Sequence, residues 1–208
     1  MDLYRWILWI SSTHGLNDYF HVASHSPYPH QPFYSQITET IAIGSLPFPS
    51  DIQYLKSKNV CGVINLCYEY SGPVAHYSKY QIQQLHLPTL DVHEPTLEQM
   101  KLAVTFIDRI LSQSVEERRG IQSSTMENEQ TEDLEKKVIF IHCKGGRGRA
   151  VITCLCYLIS KGSTLQESFQ QIKSCRSVAS EGVLYSSIVK EYEKWIKIEQ
   201  HDVSNSIS

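Results

Sequence analysis

The chain has 208 residues, a formal charge of −3 and 41% hydrophobic content, enough to bury a sizeable core but too little for two ordinary domains plus its polar stretches. The slight acidic balance excludes general nucleic-acid affinity, so any basic patch must be local. The six cysteines, Cys61, Cys67, Cys143, Cys154, Cys156 and Cys175, follow neither a disulfide framework nor a paired Cys-x2-Cys zinc pattern, which points to a reducing intracellular compartment.

Residues 1–32 read as an irregular leader rich in His, Ser, Pro and Tyr. Its apolar run at 3–10 falls short of the roughly 18 residues of a membrane span and has neither a basic start nor a small-residue cleavage site. It is read either as a tail packed on the domain or as an interfacial anchor through Trp6, Ile7, Trp9 and Ile10. Residues 33–200 form one α/β domain with a mainly parallel central sheet, because apolar strand-like runs alternate with helical patterns. In chain order we expect a strand at 38–43, a helix at 49–58, a strand at 60–66, a helix at 74–80 and a strand at 83–87. A capping box of Thr96 and Gln99 starts a helix running to Leu111. Residues 112–137 turn polar and lose apolar periodicity, as expected of a solvated insertion without regular structure. A strand at 138–141, helices at 149–161 and 182–198, and between them a helix capped by Thr164 and Glu167 complete the domain, with 201–208 as a tail.

The chemistry concentrates in His142-Cys143-Lys144-Gly145-Gly146-Arg147-Gly148-Arg149-Ala150, which joins the strand at 138–141 to an apolar helix. A strand-to-helix turn of this kind aims backbone N–H groups and the positive end of a helix dipole at one spot, and glycines let the chain curl tightly. An anion is expected there. Cys143 stands beside Lys144, Arg147 and Arg149, an environment that favours a thiolate. The spacing Cys143-x5-Arg149 lets the loop circle one tetrahedral oxyanion while the Arg149 fork grips two of its oxygens. Nucleophilic attack by sulfur on a bound phosphate follows.

Such a reaction also needs a group to protonate the leaving alkoxide and later deprotonate water. Asp91, just beyond the strand at 83–87, is the expected general acid, because the C-terminal ends of parallel strands share one edge of the sheet. Glu94 is the rival, and a purely structural turn aspartate is the bland alternative. Cys67, also just past a parallel strand end, is expected either to reach Cys143 and form a protective reversible disulfide or to be a small buried apolar residue.

His142-Cys143-x5-Arg149 resembles the signature loop of the cysteine-based tyrosine and dual-specificity phosphatases. Together with Ile43-Gly44-Ser45-Leu46-Pro47-Phe48-Pro49, Val63-Ile64-Asn65-Leu66-Cys67-Tyr68-Glu69-Tyr70 and Leu87-Pro88-Thr89-Leu90-Asp91, it is similar to the mitochondrial protein-tyrosine-phosphatase-like branch of the dual-specificity phosphatases over about residues 36–198. The resemblance implies the compact phosphatase fold, no metal cofactor, and dephosphorylation of phosphatidylglycerophosphate. It implies Cys143 as nucleophile, Arg149 as phosphate clamp and Asp91 as acid. Lys144, Gly145, Gly146, Arg147 and Gly148 would form the phosphate loop, and Glu69 and Tyr70 a substrate-binding acidic-aromatic loop. The expected partner is a phosphorylated lipid headgroup or a phosphoprotein, with peripheral membrane contact, in mitochondria or cytoplasm.

Two residues depart from that branch. Ala150 stands where most relatives carry a Ser or Thr whose hydroxyl stabilises the departing thiolate, and Gly145 stands where Ala is common. The Ala150 departure also motivates an alternative reading, a phosphate-binding adaptor without turnover.

Overall fold

The structure, a computed structural model, describes residues 32–122 and 136–206. Five strands form one sheet: β1 (Tyr34–Gln36), β2 (Ile41–Gly44), β3 (Val60–Cys67), β4 (Gln83–Thr89) and β5 (Val138–His142), in the spatial order β1-β2-β5-β3-β4. Only β1 runs antiparallel to its neighbour; β2, β5, β3 and β4 are parallel. Among the described residues six α-helices accompany them: α1 (Ile52–Ser57), α2 (Val74–Lys79), α3 (Leu97–Gln122), α4 (Arg149–Ser160), α5 (Leu165–Cys175) and α6 (Ser187–Ser206).

Strand periodicity divides the core in two. Successive strand residues point to opposite faces, so Ile41, Ile43, Ile64, Leu66, Ile139 and Ile141 pack with Met100, Ile107, Leu155, Ile172 and Tyr192 from α3–α6. Their alternates Ala42, Val63, Val138 and Phe140 face Ile52, Leu55 and Tyr77 from α1 and α2. Strand β5 is central and covered on both faces, and all five of its residues are buried. Its last residue, His142, lies opposite Gly44 of β2 and Asn65 of β3. The loop that follows therefore emerges between two other strand ends, at the edge where parallel sheets place ligands.

Both expected capping boxes form. The Thr96 N–H donates to Gln99 Oε1 at 2.8 Å and the Gln99 N–H to Thr96 Oγ1 at 3.2 Å, and Thr164 and Glu167 exchange the same pair of bonds. Elsewhere the structure revises the expected boundaries. Residues 34–36, too short to show a period, pair with β2 as an edge strand, and β2 begins at Ile41, not Thr38, because the Thr38 hydroxyl accepts the N–H groups of Thr40 and Ile41 in a turn. Strand β4 runs through Pro88 to Thr89, which an edge strand tolerates.

The expected polar insertion is corrected at its start, since α3 continues from Leu111 to Gln122. Glu116, Glu117, Arg118 and Arg119 are good helix formers even without an apolar stripe. Residues 123–135 and 1–31 lie outside the described part, and with them the readings placed on the leader. The last expected helix divides into a 3-10 turn at Glu181–Tyr185 and α6, because Ser186 takes an extended ψ of 128° and its hydroxyl caps the Val189 N–H at 3.2 Å. The backbone of α6 continues into the expected tail, as far as Ser206.

Candidate active site

Cys143 follows β5 directly and is buried, with its Sγ accepting the Gly146 N–H at 3.2 Å. The loop it opens closes on Arg149, the first residue of α4, so the helix start points at the loop's centre. Gly146 has φ +62°, and a Cβ there would stand 2.3 Å from the Gly44 carbonyl oxygen. Only glycine permits both the left-handed turn and this close approach to β2.

Beneath the loop lies a residue that the sequence did not single out. Arg176, at the end of α5, is fully buried. Its Nε donates to Gly146 O at 2.6 Å, Nη2 to Gly145 O at 2.8 Å, and Nη1 to Pro32 O at 2.9 Å and Ser35 Oγ at 3.1 Å. Holding the carbonyls of Gly145 and Gly146 on the core side leaves the opposite side of these peptides to the cleft. Burial pulls the Arg176 pKa down to about 10, with Cys143 working against the drop, so the guanidinium stays charged at neutral pH. In sequence, Arg176 is one more cation at a helix end, and only the tertiary fold brings it under Cys143.

Arg149 is also buried. Nη1 donates to Thr89 O at 2.6 Å, Leu66 O at 3.3 Å and Glu69 Oε2 at 3.4 Å; Nη2 donates to Glu69 Oε1 at 3.3 Å and Asp91 Oδ1 at 2.8 Å. Asp91 thus reaches Arg149 as the strand-edge argument expected, but it arrives as an ion-pair partner. Its second oxygen accepts from Lys144 Nζ at 3.0 Å. Partial burial pushes the Asp91 pKa up, while Lys144, Arg149 and the Val92 N–H outweigh it and hold the carboxyl below its ordinary value.

Glu94 is placed differently from its expected role as rival acid. It lines the cleft, but its carboxylate accepts from Ser187 Oγ at 2.7 Å, and burial is outweighed by hydrogen bonds from Ser186, Ser187 and Ile188 that lower its pKa. It caps the start of α6 and ties the Asp91 loop to that helix. Glu69 braces Arg149 instead of lining the cleft. Tyr70 turns away, its hydroxyl donating to Pro47 O at 3.0 Å. His142 is fully buried against Phe140, and burial drives its pKa down to about 3, so it is neutral. Cys67 is buried as a free thiol whose pKa is raised well above the ordinary value by burial, with Cys143 and Glu69 adding to the rise.

A cleft of about 330 Å³ opens over these groups, lined on one side by Cys143, Lys144, Gly145, Arg147 and Arg149 and elsewhere by His93, Ser180 and Val183. Arg147 sits at its edge, its Nε donating to Val178 O at 3.3 Å. Cys143, the Arg149 fork and the Asp91 carboxylate therefore line one cleft, the set of groups that attack on a phosphate ester requires.

Residues 34–184 match the family described as PTP-SAK, the Swiss Army Knife protein DSP-PTPase phosphatase domain. The chain belongs to this family. Among relatives of this phosphatase domain, phosphatidylglycerophosphate phosphatase PTPMT2 of Arabidopsis thaliana is 33% identical over 148 residues, 69% of the present chain and 55% of the relative. The chain thus spans about half of that relative's length. Human phosphatidylglycerophosphatase and protein-tyrosine phosphatase 1 is 25% identical over 175 residues, 80% of the present chain and 76% of the relative. The crystal structure of PTPMT1 in complex with PI(5)P superposes with a TM-score of 0.65 at 22% identity, covering 81% of this chain and 99% of that one. At that identity the superposition establishes the dual-specificity phosphatase fold.

Proposed function

We propose that this phosphatase domain hydrolyses the phosphomonoester of a phospholipid headgroup, such as phosphatidylglycerophosphate, through a phosphocysteine. The observation that carries the reading is the meeting of Cys143, Arg149 and Asp91 at one cleft. The activities that the Arabidopsis and human relatives are named for support the choice of substrate.

The reaction begins with an exchange of anions. The Asp91 carboxylate occupies part of the fork on Arg149 that a phosphate would grip. An incoming dianion competes for that cation more strongly than a single carboxylate and displaces Asp91. Asp91, freed from Arg149 and next to a new negative charge, takes up a proton. The Cys143 thiolate then attacks phosphorus. The S–P bond forms as the ester O–P bond breaks, and Asp91 gives its proton to the leaving alkoxide. In the second half Asp91 takes a proton from water, whose oxygen attacks phosphorus; the S–P bond breaks, phosphate leaves and the thiolate is restored. Loop N–H groups and Arg149 stabilise charge on the transferring phosphoryl oxygens.

The test is phosphate release from phosphatidylglycerophosphate vesicles, a phosphoinositide set and phosphotyrosine peptides, with Cys143→Ser and Asp91→Asn beside the wild type. We expect the phosphatidylglycerophosphate signal to dominate and to vanish in Cys143→Ser. Preference for peptides would transfer the function to phosphoprotein, the other activity in the human relative's name. No release from any substrate would replace catalysis with phosphate binding alone.

A further inference from the structure

Exposed apolar side chains concentrate at the mouth of the cleft. Of the eight large apolar side chains most exposed among the described residues, four are Tyr68, Leu90, Val92 and Tyr185; the others are Tyr54, Val74, Leu102 and Ile198. Val92 lines the cleft, and the other three stand on segments that adjoin it. The Tyr68 N–H donates to Thr89 O at 3.2 Å, which sets Tyr68 beside Leu90. Leu90 and Val92 flank Asp91, and Val92 lines the cleft. The Glu94–Ser187 bond at 2.7 Å brings that loop to the segment carrying Tyr185, two residues beyond the cleft-lining Val183. Val92 is 96% and Tyr185 80% exposed. Val92 also holds φ +60°, a conformation that β-branched residues resist. With its side chain almost fully in solvent, packing does not repay that strain, and strain of this kind collects at functional sites.

We infer that this apolar rim is a docking surface for a lipid bilayer, seating the mouth in the headgroup layer so that a lipid phosphomonoester reaches Cys143. The inference rests on the phospholipid reading above and names the surface through which that substrate arrives. The lipid is favoured as occupant because the rim adjoins a cationic floor. Lys144 and Arg147 line the cleft beside the loops that carry the apolar side chains, and cations next to exposed apolar groups match an interface with anionic headgroups above acyl chains. Tyrosine, with an apolar ring and a polar tip, suits the same boundary. The rim is assembled from three separate loops, and among the described residues no helix is long and apolar enough to cross a membrane. Contact through the rim is therefore peripheral and reversible.

The test uses the full chain and vesicles of phosphatidylcholine with phosphatidylglycerol. Leu90→Ser, Tyr185→Ser and their double variant are compared with wild type for flotation with vesicles, hydrolysis of vesicle-borne phosphatidylglycerophosphate, and hydrolysis of a soluble aryl phosphate. The proposal expects the double variant to lose about tenfold or more in flotation and vesicle hydrolysis, with aryl phosphate turnover and thermal melting unchanged. Wild-type flotation retained in the double variant would overturn it, as would absence of flotation by the wild type. With a phosphotyrosine peptide as a fourth substrate, a loss confined to that peptide would also overturn it and assign the rim to a protein substrate. Failure of aryl phosphate hydrolysis in the wild type would strike at the phosphatase reading instead, because flotation needs no turnover.

Discussion

The loop of residues 143–148 is held from the core side. Arg176 binds two of its carbonyls from below, Gly146 abuts the backbone of β2, and Cys143 itself is buried. The loop of residues 90–94 is held by charge: Asp91 on Lys144 and Arg149, Glu94 on the start of α6, with Leu90 and Val92 exposed on either side of Asp91. A ligand does not displace the contacts of the first loop, since they lie on its far side. In the proposed mechanism a phosphate displaces those of the second, because it competes for the same guanidinium. On that reading Cys143 is set by packing before substrate arrives, whereas Asp91 becomes an acid only through substrate binding.

Asp91→Asn breaks the comparison most directly. Loss of a positioned general acid lowers turnover of a lipid phosphate, with its alkoxide leaving group, by about 10²–10⁴-fold. Binding of inorganic phosphate should not weaken, because a neutral amide competes less for Arg149. Since the carboxyl is held below its ordinary value, it is deprotonated at neutral pH, and substrate binding must be accompanied by uptake of a proton from solvent. For wild type, kcat/KM should fall as pH rises through and beyond the range in which this carboxyl loses its proton. In Asp91→Asn that falling limb should disappear, and calorimetry in buffers of different ionisation enthalpy should lose the proton uptake seen when phosphate binds to wild type. Wild-type binding without uptake would mean that Asp91 does not change partners.

Arg176→Met probes the other loop. It leaves the Gly145 and Gly146 carbonyls buried without a donor, at roughly 1–3 kcal/mol each, so the urea midpoint should drop as if about 3 kcal/mol had been lost. Asp91→Asn, by contrast, should barely move it. Equal stability losses in the two variants would erase the distinction between a packed loop and an exchangeable one.

Ala150→Ser addresses the step after attack. Ala150 is fully buried at the second position of α4, and the next hydroxyl on that helix, Thr153, already donates to Arg149 O at 3.0 Å. Without a hydroxyl donor at residue 150 the departing thiolate lacks a hydrogen bond of about 1.5–3 kcal/mol. Rapid-quench kinetics should show a phosphoenzyme burst in wild type, and the serine variant should hydrolyse that intermediate roughly tenfold faster or more. Unchanged turnover would show that phosphoenzyme hydrolysis does not limit the rate.

The packed half of the site was the legible half. Cys143-x5-Arg149 after four β-prone residues marks strand, loop and helix start within one short segment, and the parallel-sheet rule carried Asp91 to the same edge. The capping pairs Thr96–Gln99 and Thr164–Glu167 were readable because each is a contact across three residues. Arg176, the Asp91–Arg149 pair and the Glu94–Ser187 tie join residues 31, 58 and 93 positions apart, and no local pattern announces them. Tyr70 was misplaced for a related reason: its neighbour Glu69 does face Arg149, but the turn after β3 sends the ring toward Phe48 and Pro47.

Glu94→Gln gives the smallest effect and the finest test of how the acid loop is held. Glutamine keeps an acceptor for Ser187 but loses the charge at the start of α6, an interaction worth about 0.3–1 kcal/mol. The Asp91 loop should therefore be placed slightly less often, lowering kcat/KM on lipid about threefold at neutral pH with little change in melting. The sign of its pH dependence follows from hydrogen bonds that depress the Glu94 pKa. The contribution of the charged form is present above the unfolded value near about 4.3 and is lost as pH falls through the lower folded value. Wild type and Glu94→Gln should then converge as pH drops below about 4. A large, pH-independent loss would instead restore Glu94 as the proton donor, since no holding role predicts it.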